Sequence, residues 1–427
     1  MPEISGYFPS NFWSKLVLPA TQADPAVLHA VIALSSIHET KEYPSPEKED
    51  ESIKTQFALT QSMKAMKYCH QLSQDAPRST EVVLTSCILF FFLESFQKNH
   101  RAALFHLDWG IKIISSFLNE HKGKLPLRSA KTPPPDELLL KETLIPVFAR
   151  LDISASIYVD TRPVQFDQLY RPLNYMPCIL SIPEAFSSLQ EADESLITLV
   201  YLLINQQQKA DSLLSGTINA APTDLVWSTI NAAREQTGLF LVKWLEALNA
   251  MLRQRKNEMT AKDLRAVLVL KGRQLIISIS NCAKTSEQET NYDEHTADFE
   301  RVVTMSESLL KHKSYSVDLN ILVPLLYAVT KCRDPRVRRK ALALLSKAPR
   351  QEGIWETEIF AAIGRWTIQM EEKERAVSSA SDVPAEARVT IIKRAYSFGE
   401  RRCLITYGQK SQSVNGHMDV REKVLTW

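Results

Sequence analysis

Apolar residues recur every three or four positions through most of the chain, and this periodicity predicts a mainly α-helical protein. The first clear helix is expected to begin at Asp24-Pro25 and to continue to Glu42, because an Asp side chain caps a helix and Pro suits its first turn. Further helices are expected at 52–72, 79–96, 100–119, 136–158, 184–214, 224–256, 261–283, 298–313, 316–331, 335–348 and 354–375. Together they predict a large multi-helix body built from αα-hairpins.

Two changes in the pattern divide these helices. Residues 122–136 contain three consecutive prolines, which a helix interior does not accept, so this segment is expected to be a Pro-rich linker. After Ser378, β-forming residues at 389–393, 403–407 and 423–427, with Gly399 in a turn, predict a small β-hairpin or three-stranded patch. The expected organisation is N-terminal helical hairpins (1–121), the linker (122–136), the main helical body (137–377) and a β-containing C-terminal segment (378–427), all in one continuous fold.

Composition and charge narrow the functional classes. The 51 basic and 49 acidic side chains nearly balance, so no overall field favours nucleic acid or an anionic membrane. The most apolar stretch, 82–96, is too short to cross a bilayer, and we expect no membrane contact. Six cysteines are scattered singly, which predicts buried small side chains and no metal site. Glycine-rich nucleotide loops and serine-hydrolase motifs are absent from the sequence, so we expect no cofactor.

A basic run, KCRDPRVRRK at 331–340, is the strongest local concentration of positive charge. Arg336, Arg338, Arg339 and Lys340 flank an apolar stripe on a helix that Asp334 is expected to cap. This arrangement predicts an ordinary solvated helix face and gives little support to nucleic-acid binding.

The segment LESFQKNHRAALFHLDWGIKII, residues 93–114, concentrates the candidate chemistry. His100 and His106 are six residues apart and point to different faces of one helix, which argues against a shared metal ion. If the chain is an enzyme, Glu94, His106 and Asp152 are the acid/base candidates. The ligand-pocket candidates, which would supply apolar walls, are Phe90, Phe91, Phe92 and Trp109.

The alternative is that these polar residues hold packed helices in register. A buried His106 would then form a hydrogen bond across the helix interface and would not handle protons for a substrate. Gly110 supports packing, because Gly inside a helix costs about 1 kcal/mol relative to Ala and indicates close approach by a neighbour. Ala102, Ala103 and Gly110 are expected to form a seam of small residues against the 90–92 aromatic run.

The hairpin sequence CILFFFLESFQKNHRAALFHLDWGIKII resembles the regulatory (middle homology) region of fungal binuclear zinc cluster transcription factors. That family often has Glu near the end of the first helix and a spaced Ala, His-Leu and Gly in the second. The corresponding residues here are Glu94, Ala103, His106, Leu107 and Gly110. Further similar stretches are Pro25 to Glu39, Ile145 to Ser156, Arg338 to Glu356, the triplet Glu400-Arg401-Arg402 and the terminal Trp427.

The resemblance implies a regulatory module that binds a small-molecule effector or a protein partner and can self-associate as a homodimer. The family binds DNA through six closely spaced cysteines, which this sequence lacks, so we expect no direct nucleic-acid binding. A natural loss and a gene model without its first exons are both open explanations. We expect an intracellular protein, in the nucleus or cytoplasm. The alternative function is a metal- and nucleotide-independent enzyme of fungal secondary metabolism that reuses the helical fold for acid/base or cyclisation chemistry.

Overall fold

A computed structural model confirms a mainly α-helical protein with a small C-terminal sheet. The structure describes residues 12–43, 48–75, 80–120, 140–158, 162, 164–165, 169, 181–215, 224–283, 289–310, 315–316, 321–347, 350–373, 375–410 and 418–427. The proposed linker at 122–136 lies outside the described residues. Buried apolar side chains from both halves of the chain form one contiguous core.

The described helices follow the predicted order. They are α1 (Leu18–Ala23), α2 (Pro25–Glu42), α3 (Lys48–Asp75), α4 (Thr80–Phe96), α5 (His100–Glu120), α6 (Ile145–Tyr158), α7 (Leu189–Ser215), α8 (Asp224–Arg255), α9 (Ala261–Ala283), α10 (Thr296–Leu309), α11 (Leu322–Lys331), α12 (Pro335–Lys347) and α13 (Thr357–Glu372). Short π-helical segments precede α1 and α6. Most helix ends lie within a few residues of their predicted positions.

The two predicted Asp-Pro caps are both present. The Asp24 carboxylate accepts hydrogen bonds from the backbone N–H groups of Ala26, at 2.8 Å, and Val27, at 3.3 Å. Asp334 accepts in the same way from Arg336 and Val337, at 3.0 and 3.1 Å. These bonds satisfy N–H groups that have no partner within the first turn of a helix.

The α4–α5 hairpin packs on α2 and α6, and Gly110 lies in a tightly packed part of this interface. A Cβ atom at Gly110 would lie 2.2 Å from the ring of Phe148 in α6 and 3.4 Å from Cys87 in α4. The predicted close approach is confirmed, but it is the Phe148 ring that occupies the space over Gly110, and the 90–92 run does not appear among its nearest contacts.

Gly110→Ala is therefore expected to lower the free energy of unfolding by about 1–3 kcal/mol, because the added methyl group overpacks the interface with Phe148. Gly272→Ala is the matched control: Gly272 also lies inside a helix, but its Cβ would meet nothing within 4 Å. There we expect a gain of roughly 0.5–1 kcal/mol from helix propensity. Chemical denaturation of both variants measures the difference, and similar effects at the two positions would contradict this account of Gly110.

A three-stranded sheet of two-residue strands was not predicted. It consists of β1 (Tyr315–Ser316), β2 (Gln351–Glu352) and β3 (Trp355–Glu356), in the order β1-β2-β3. The helix expected from 316 begins only at Leu322, and the helix expected from 354 begins at Thr357. Two-residue strands are too short to show an alternating pattern, so periodicity could not separate them from the adjoining helices.

The C-terminal sheet contains β4 (Thr390–Ser397), β5 (Arg402–Lys410) and β6 (Met418–Thr426), antiparallel and in that order. This confirms the three-stranded patch, with longer strands than expected. Gly399 does lie in the turn between β4 and β5, but the left-handed residue there is Arg401, with φ 51°.

Helix α9 is long and apolar enough to cross a membrane by length and composition alone. Within the fold, 67% of that stretch is buried among other residues. Such burial is typical of the core helix of a helical protein.

Candidate functional site

The polar residues of the α4–α5 hairpin do not converge on one point. The side-chain amide of Asn99 donates to the Glu94 carboxylate at 2.7 Å, and burial raises the pKa of Glu94. The His106 ring stacks on Phe90, with ring centroids 5.2 Å apart, and burial lowers its pKa. Within the described part of the chain, neither a hydrogen bond nor an ion pair joins Glu94 to His106.

The ligand-pocket candidates separate into two environments. Phe90, Phe91 and Phe92 are buried, and Phe92 stacks on Trp13 with centroids 6.2 Å apart. Trp109 is 52% exposed on the outer side of α5. The aromatic run thus lies in close-packed core, whereas Trp109 faces solvent.

Asp152, the third acid/base candidate, belongs to a separate ionic cluster. Its carboxylate accepts from the Arg162 guanidinium at 2.6 Å and from the backbone N–H of Gln165 at 2.7 Å. Arg162 also donates to Asp108 of α5 at 2.7 Å, and so does the Gln165 side chain at 2.9 Å. Burial raises the pKa of Asp152, and the charge of Arg162 opposes that rise. The cluster ties α5 to α6.

A larger group of polar contacts surrounds residues 350–356, which contain β2, β3 and the turn that joins them. We call this segment the junction turn. The Gln351 side chain donates to the backbone carbonyl of Ser95, at the end of α4, at 2.7 Å. Trp355 Nε1 donates to Ser154 Oγ of α6 at 3.1 Å. The junction turn therefore connects helices of the first half of the chain to the second half.

Glu356 completes this connection. Its carboxylate accepts from Lys98 Nζ at 2.8 Å and pairs with His100 Nε2 at 3.3 Å, across 256 residues of sequence. The cross-interface role predicted for His106 is thus filled by His100, which is fully buried. Burial alone would raise the pKa of Glu356, but the hydrogen bonds from His100 and Lys98 outweigh it and lower the pKa from 4.5 to about 2.

This shift predicts an acid-dependent stability. A carboxylate with a lowered folded-state pKa stabilises the fold above its unfolded value of 4.5 and loses that contribution as the pH falls towards 2. Glu356→Gln is expected to lower the free energy of unfolding at pH 7 by about 2–3 kcal/mol and to flatten its decline below pH 4.5. Urea unfolding at several pH values measures both effects. A parallel decline in the two proteins would contradict the role of Glu356.

Two residues that pair with Glu356 or Glu358 have a strained backbone conformation. Among the described residues, the non-glycine positions with positive φ are Lys98, at 63°, and Arg401, at 51°. Lys98 pairs with Glu356, and both Lys98 and Arg401 pair with Glu358 at the start of α13. Left-handed conformations are unfavourable for such side chains, and the acidic start of α13 lies beside both of these turns.

The element Arg350-Gln-Glu-Gly-Ile-Trp of the resemblance forms the junction turn. Glu352 is fully buried and accepts from the Arg350 guanidinium at 2.9 Å. It also accepts from the backbone N–H groups of Ile321, at 3.0 Å, and Leu322, at 3.1 Å, and thereby caps α11. Gly353 has φ 57°, which fits the tight turn.

The basic run at 331–340 differs from its prediction. Arg333 and Arg338 are fully buried, and each donates to the Glu371 carboxylate of α13 at 2.7 Å. The solvated-face prediction is therefore wrong for Arg338, although Arg336 and Arg339 are exposed. Burial would raise the pKa of Glu371, but the charges of Arg333 and Arg338 hold it below its ordinary value.

Glu289 extends this buried ionic network. It accepts from Lys331 Nζ at 2.6 Å and pairs with Arg333 at 2.9 Å. Burial opposes ionisation of Glu289, but these two cations outweigh it and lower its pKa to about 2. Glu371 also accepts from the backbone N–H of Val389, just before β4, at 2.8 Å. The network therefore joins α11, α12 and α13 to the C-terminal sheet.

Neither a metal cluster nor a catalytic constellation is evident in the part of the chain that the structure describes. No group of three or more His, Cys, Asp or Glu side chains there has the arrangement of a metal site. A small cavity of about 10 Å³, roughly the space of one water molecule, lies near Glu289, Arg388 and Met418, and the hairpin aromatic residues do not line it. The charged side chains of these clusters pair with one another, as expected of contacts that hold a structure together.

Comparison with known proteins supports the resemblance seen in the sequence. Residues 2–212 match the model of the fungal specific transcription factor domain. This part of the chain, just under half of its length, is therefore similar to the fungal specific transcription factor domain. This range contains the hairpin, the α2 stretch and the α6 stretch that carried the resemblance, so a regulatory assignment agrees with both motifs and comparison.

One similar protein is named "Aspercryptin biosynthesis cluster-specific transcription regulator atnN", from Emericella nidulans. The two are 28% identical over 119 residues, which cover 26% of this chain and 18% of the relative. The chain thus matches less than a fifth of that regulator's length. No solved structure matches the chain.

Proposed function

We propose that this fungal specific transcription factor domain regulates transcription by binding a protein partner through the exposed side of α5. The observation that carries the proposal is the stacked pair Phe105 and Trp109, whose ring centroids lie 6.2 Å apart with an interplanar angle of 11°. Phe105 is 63% exposed and Trp109 is 52% exposed. Large aromatic side chains of this kind are enriched in the centres of protein interfaces.

The positive charges beside the aromatic pair indicate what kind of partner fits this surface. Arg101 and Lys112 are exposed on the same side of α5 as the aromatic pair, and Lys112 Nζ lies 5.9 Å from the Trp109 ring centroid. The nearby negative charge of Asp108 is compensated by Arg162. The surface therefore fits a peptide segment that presents apolar side chains flanked by acidic residues.

A protein partner is better supported than an enclosed effector. The pocket candidates Phe90, Phe91 and Phe92 are buried against neighbouring rings, so effector binding there requires the helices to separate. The enzymatic alternative is not favoured, because Glu94, His106 and Asp152 have separate partners and no shared substrate position. As part of this proposal, the protein acts inside the cell, in the nucleus or cytoplasm.

Site-specific photo-crosslinking tests the partner surface. A benzophenone amino acid is introduced at Trp109 or, as the matched control, at Leu239, an exposed apolar residue of α8. After irradiation of cells that naturally express the chain, position 109 is expected to give a discrete covalent product with another protein. Position 239 is expected to give none. Equal products at both positions, or none at position 109, would contradict the proposal.

A further inference from the structure

We infer that the outer face of α3 is a homodimer interface, in which α3 pairs antiparallel with α3 of a second copy of this chain. This helix packs on α2 through Ala58 and Ala65, which are fully buried. His29 of α2 bonds to Gln61 at 2.7 Å and stacks on Tyr68, which fixes the orientation of α3. The opposite side is left to solvent and carries the exposed apolar residues Ile53, Phe57, Leu59, Met63 and Met66.

The exposed side follows the spacing of a coiled-coil seam. Exposed residues occur at 49, 53, 56, 60, 63 and 67, so the intervals alternate between four and three residues. Such a row stays on one side of a helix and forms a seam along which a second helix can pack.

The order of side chains along this seam is self-complementary in the antiparallel direction. When the two-fold axis crosses the seam midway between Gln56 and Thr60, Glu49 faces Lys67 of the second copy, and Lys67 faces its Glu49. The same alignment places Ile53 opposite Met63 and Gln56 opposite Thr60, while Phe57 on one flank of the seam lies beside Phe57 of the second copy and Leu59 on the other flank beside its Leu59. In antiparallel helix pairs, the two alternating seam positions face each other in this way.

A parallel pairing lacks this match, because it places Glu49 beside Glu49 and Lys67 beside Lys67. The charges at the two ends of the seam therefore favour the antiparallel direction. They also favour a partner helix that has an acidic residue at its start and a basic residue near its end, as α3 itself does. Within the described residues, neither Glu49 nor Lys67 forms an ion pair, so both charges are available to a second copy. A two-fold interface of this type closes at a dimer.

Sedimentation velocity with charge-reversal variants tests the interface. The unaltered chain is expected to shift towards twice its mass of 48.4 kDa with increasing concentration. One helix face is smaller than the usual partner area of about 800 Å², so the measurement covers roughly 1–100 µM. Glu49→Lys and Lys67→Glu are each expected to weaken dimerisation at least about tenfold, because each creates two like-charge contacts per dimer.

The reciprocal exchange makes the test specific. An equimolar mixture of Glu49→Lys and Lys67→Glu chains, and the double variant E49K/K67E, both restore opposite charges and are expected to dimerise like the unaltered chain. Glu51→Lys, on the side of α3 away from the seam, is the control and is expected to leave the dimer unchanged. All substituted positions are exposed, and equal thermal melting verifies folding.

A chain that stays monomeric up to the highest concentration would overturn the inference. So would a dimer that both single reversals leave intact, because that dimer uses another surface. Failure of the mixture and the double variant to recover would overturn the antiparallel alignment. Loss of the α5 crosslink with retention of the dimer would count against the proposed partner surface alone.

Discussion

Glu371→Gln is expected to lower the free energy of unfolding by about 3–5 kcal/mol, more than any other single substitution we propose. Arg333 and Arg338 are fully buried and both donate to this carboxylate. Glutamine preserves the shape of the side chain but removes the charge, so two buried guanidinium groups lose their shared counter-ion. The Val389 N–H retains an acceptor, which separates the ionic contribution from the loss of a backbone hydrogen bond.

Glu400→Gln is the matched control. Glu400 pairs with Arg402 at 3.4 Å, but both side chains are largely exposed. Surface pairs of this kind contribute about 0–1 kcal/mol, so the control is expected to unfold almost like the unaltered protein. Equilibrium denaturation of both variants gives the comparison. If Glu371→Gln loses less than about 1 kcal/mol, the buried network is not the support of the second half that we infer.

Glu352→Gln is expected to have the second largest effect, a loss of about 3–4 kcal/mol. Glu352 has two functions at once, because it neutralises the buried Arg350 and accepts the first N–H groups of α11. An amide can accept only through one oxygen, and it removes the negative charge that Glu352 places beside the buried guanidinium. Thermal and denaturant unfolding measure the loss.

Glu358→Gln serves as the control for this position. It lies six residues further along, and its side chain is 42% exposed while it pairs with Arg401. We expect a change of about 1 kcal/mol or less. Comparable losses at Glu352 and Glu358 would show that the junction turn has no special role in stability.

Local pattern predicted the local structure well. The 3.6-residue periodicity indicated most helices, because each buries one side on a common core. The caps at Asp24 and Asp334 were predictable because donors and acceptor are within three residues of sequence. Alternation after Ser378 indicated the C-terminal sheet, and Gly110 indicated a close approach, although Phe148 as the neighbour required tertiary contacts.

Contacts distant in sequence account for what pattern did not predict. The run at 331–340 has the pattern of a solvated face, and Arg338 is buried only because Glu371, 33 residues later, neutralises it. His100 faces Glu356 from 256 residues away, so neither side chain has a local signal of its role. Cys282 is exposed, against the expectation of burial, whereas Cys87, Cys332 and Cys403 are buried.

The sequence stretches that carry the family resemblance contact one another in the fold. The end of α4, the α6 stretch and the junction turn are joined directly by Gln351 to Ser95 and by Trp355 to Ser154. Their polar residues hold helices together, whereas Phe105 and Trp109, between the motif positions Ala103 and Gly110, face solvent. A regulatory module needs both features: a scaffold held in one arrangement and a surface that another molecule can contact.

Transcript abundance in cells that naturally express the chain tests this division of roles most directly. The double variant F105S/W109S is compared with L239S/V242S, a second pair of exposed apolar residues, at matched protein levels. We expect the α5 variant to change the transcripts that deletion of the gene changes, and the α8 variant to retain the normal pattern. Normal transcripts in the α5 variant would contradict a regulatory output through Phe105 and Trp109.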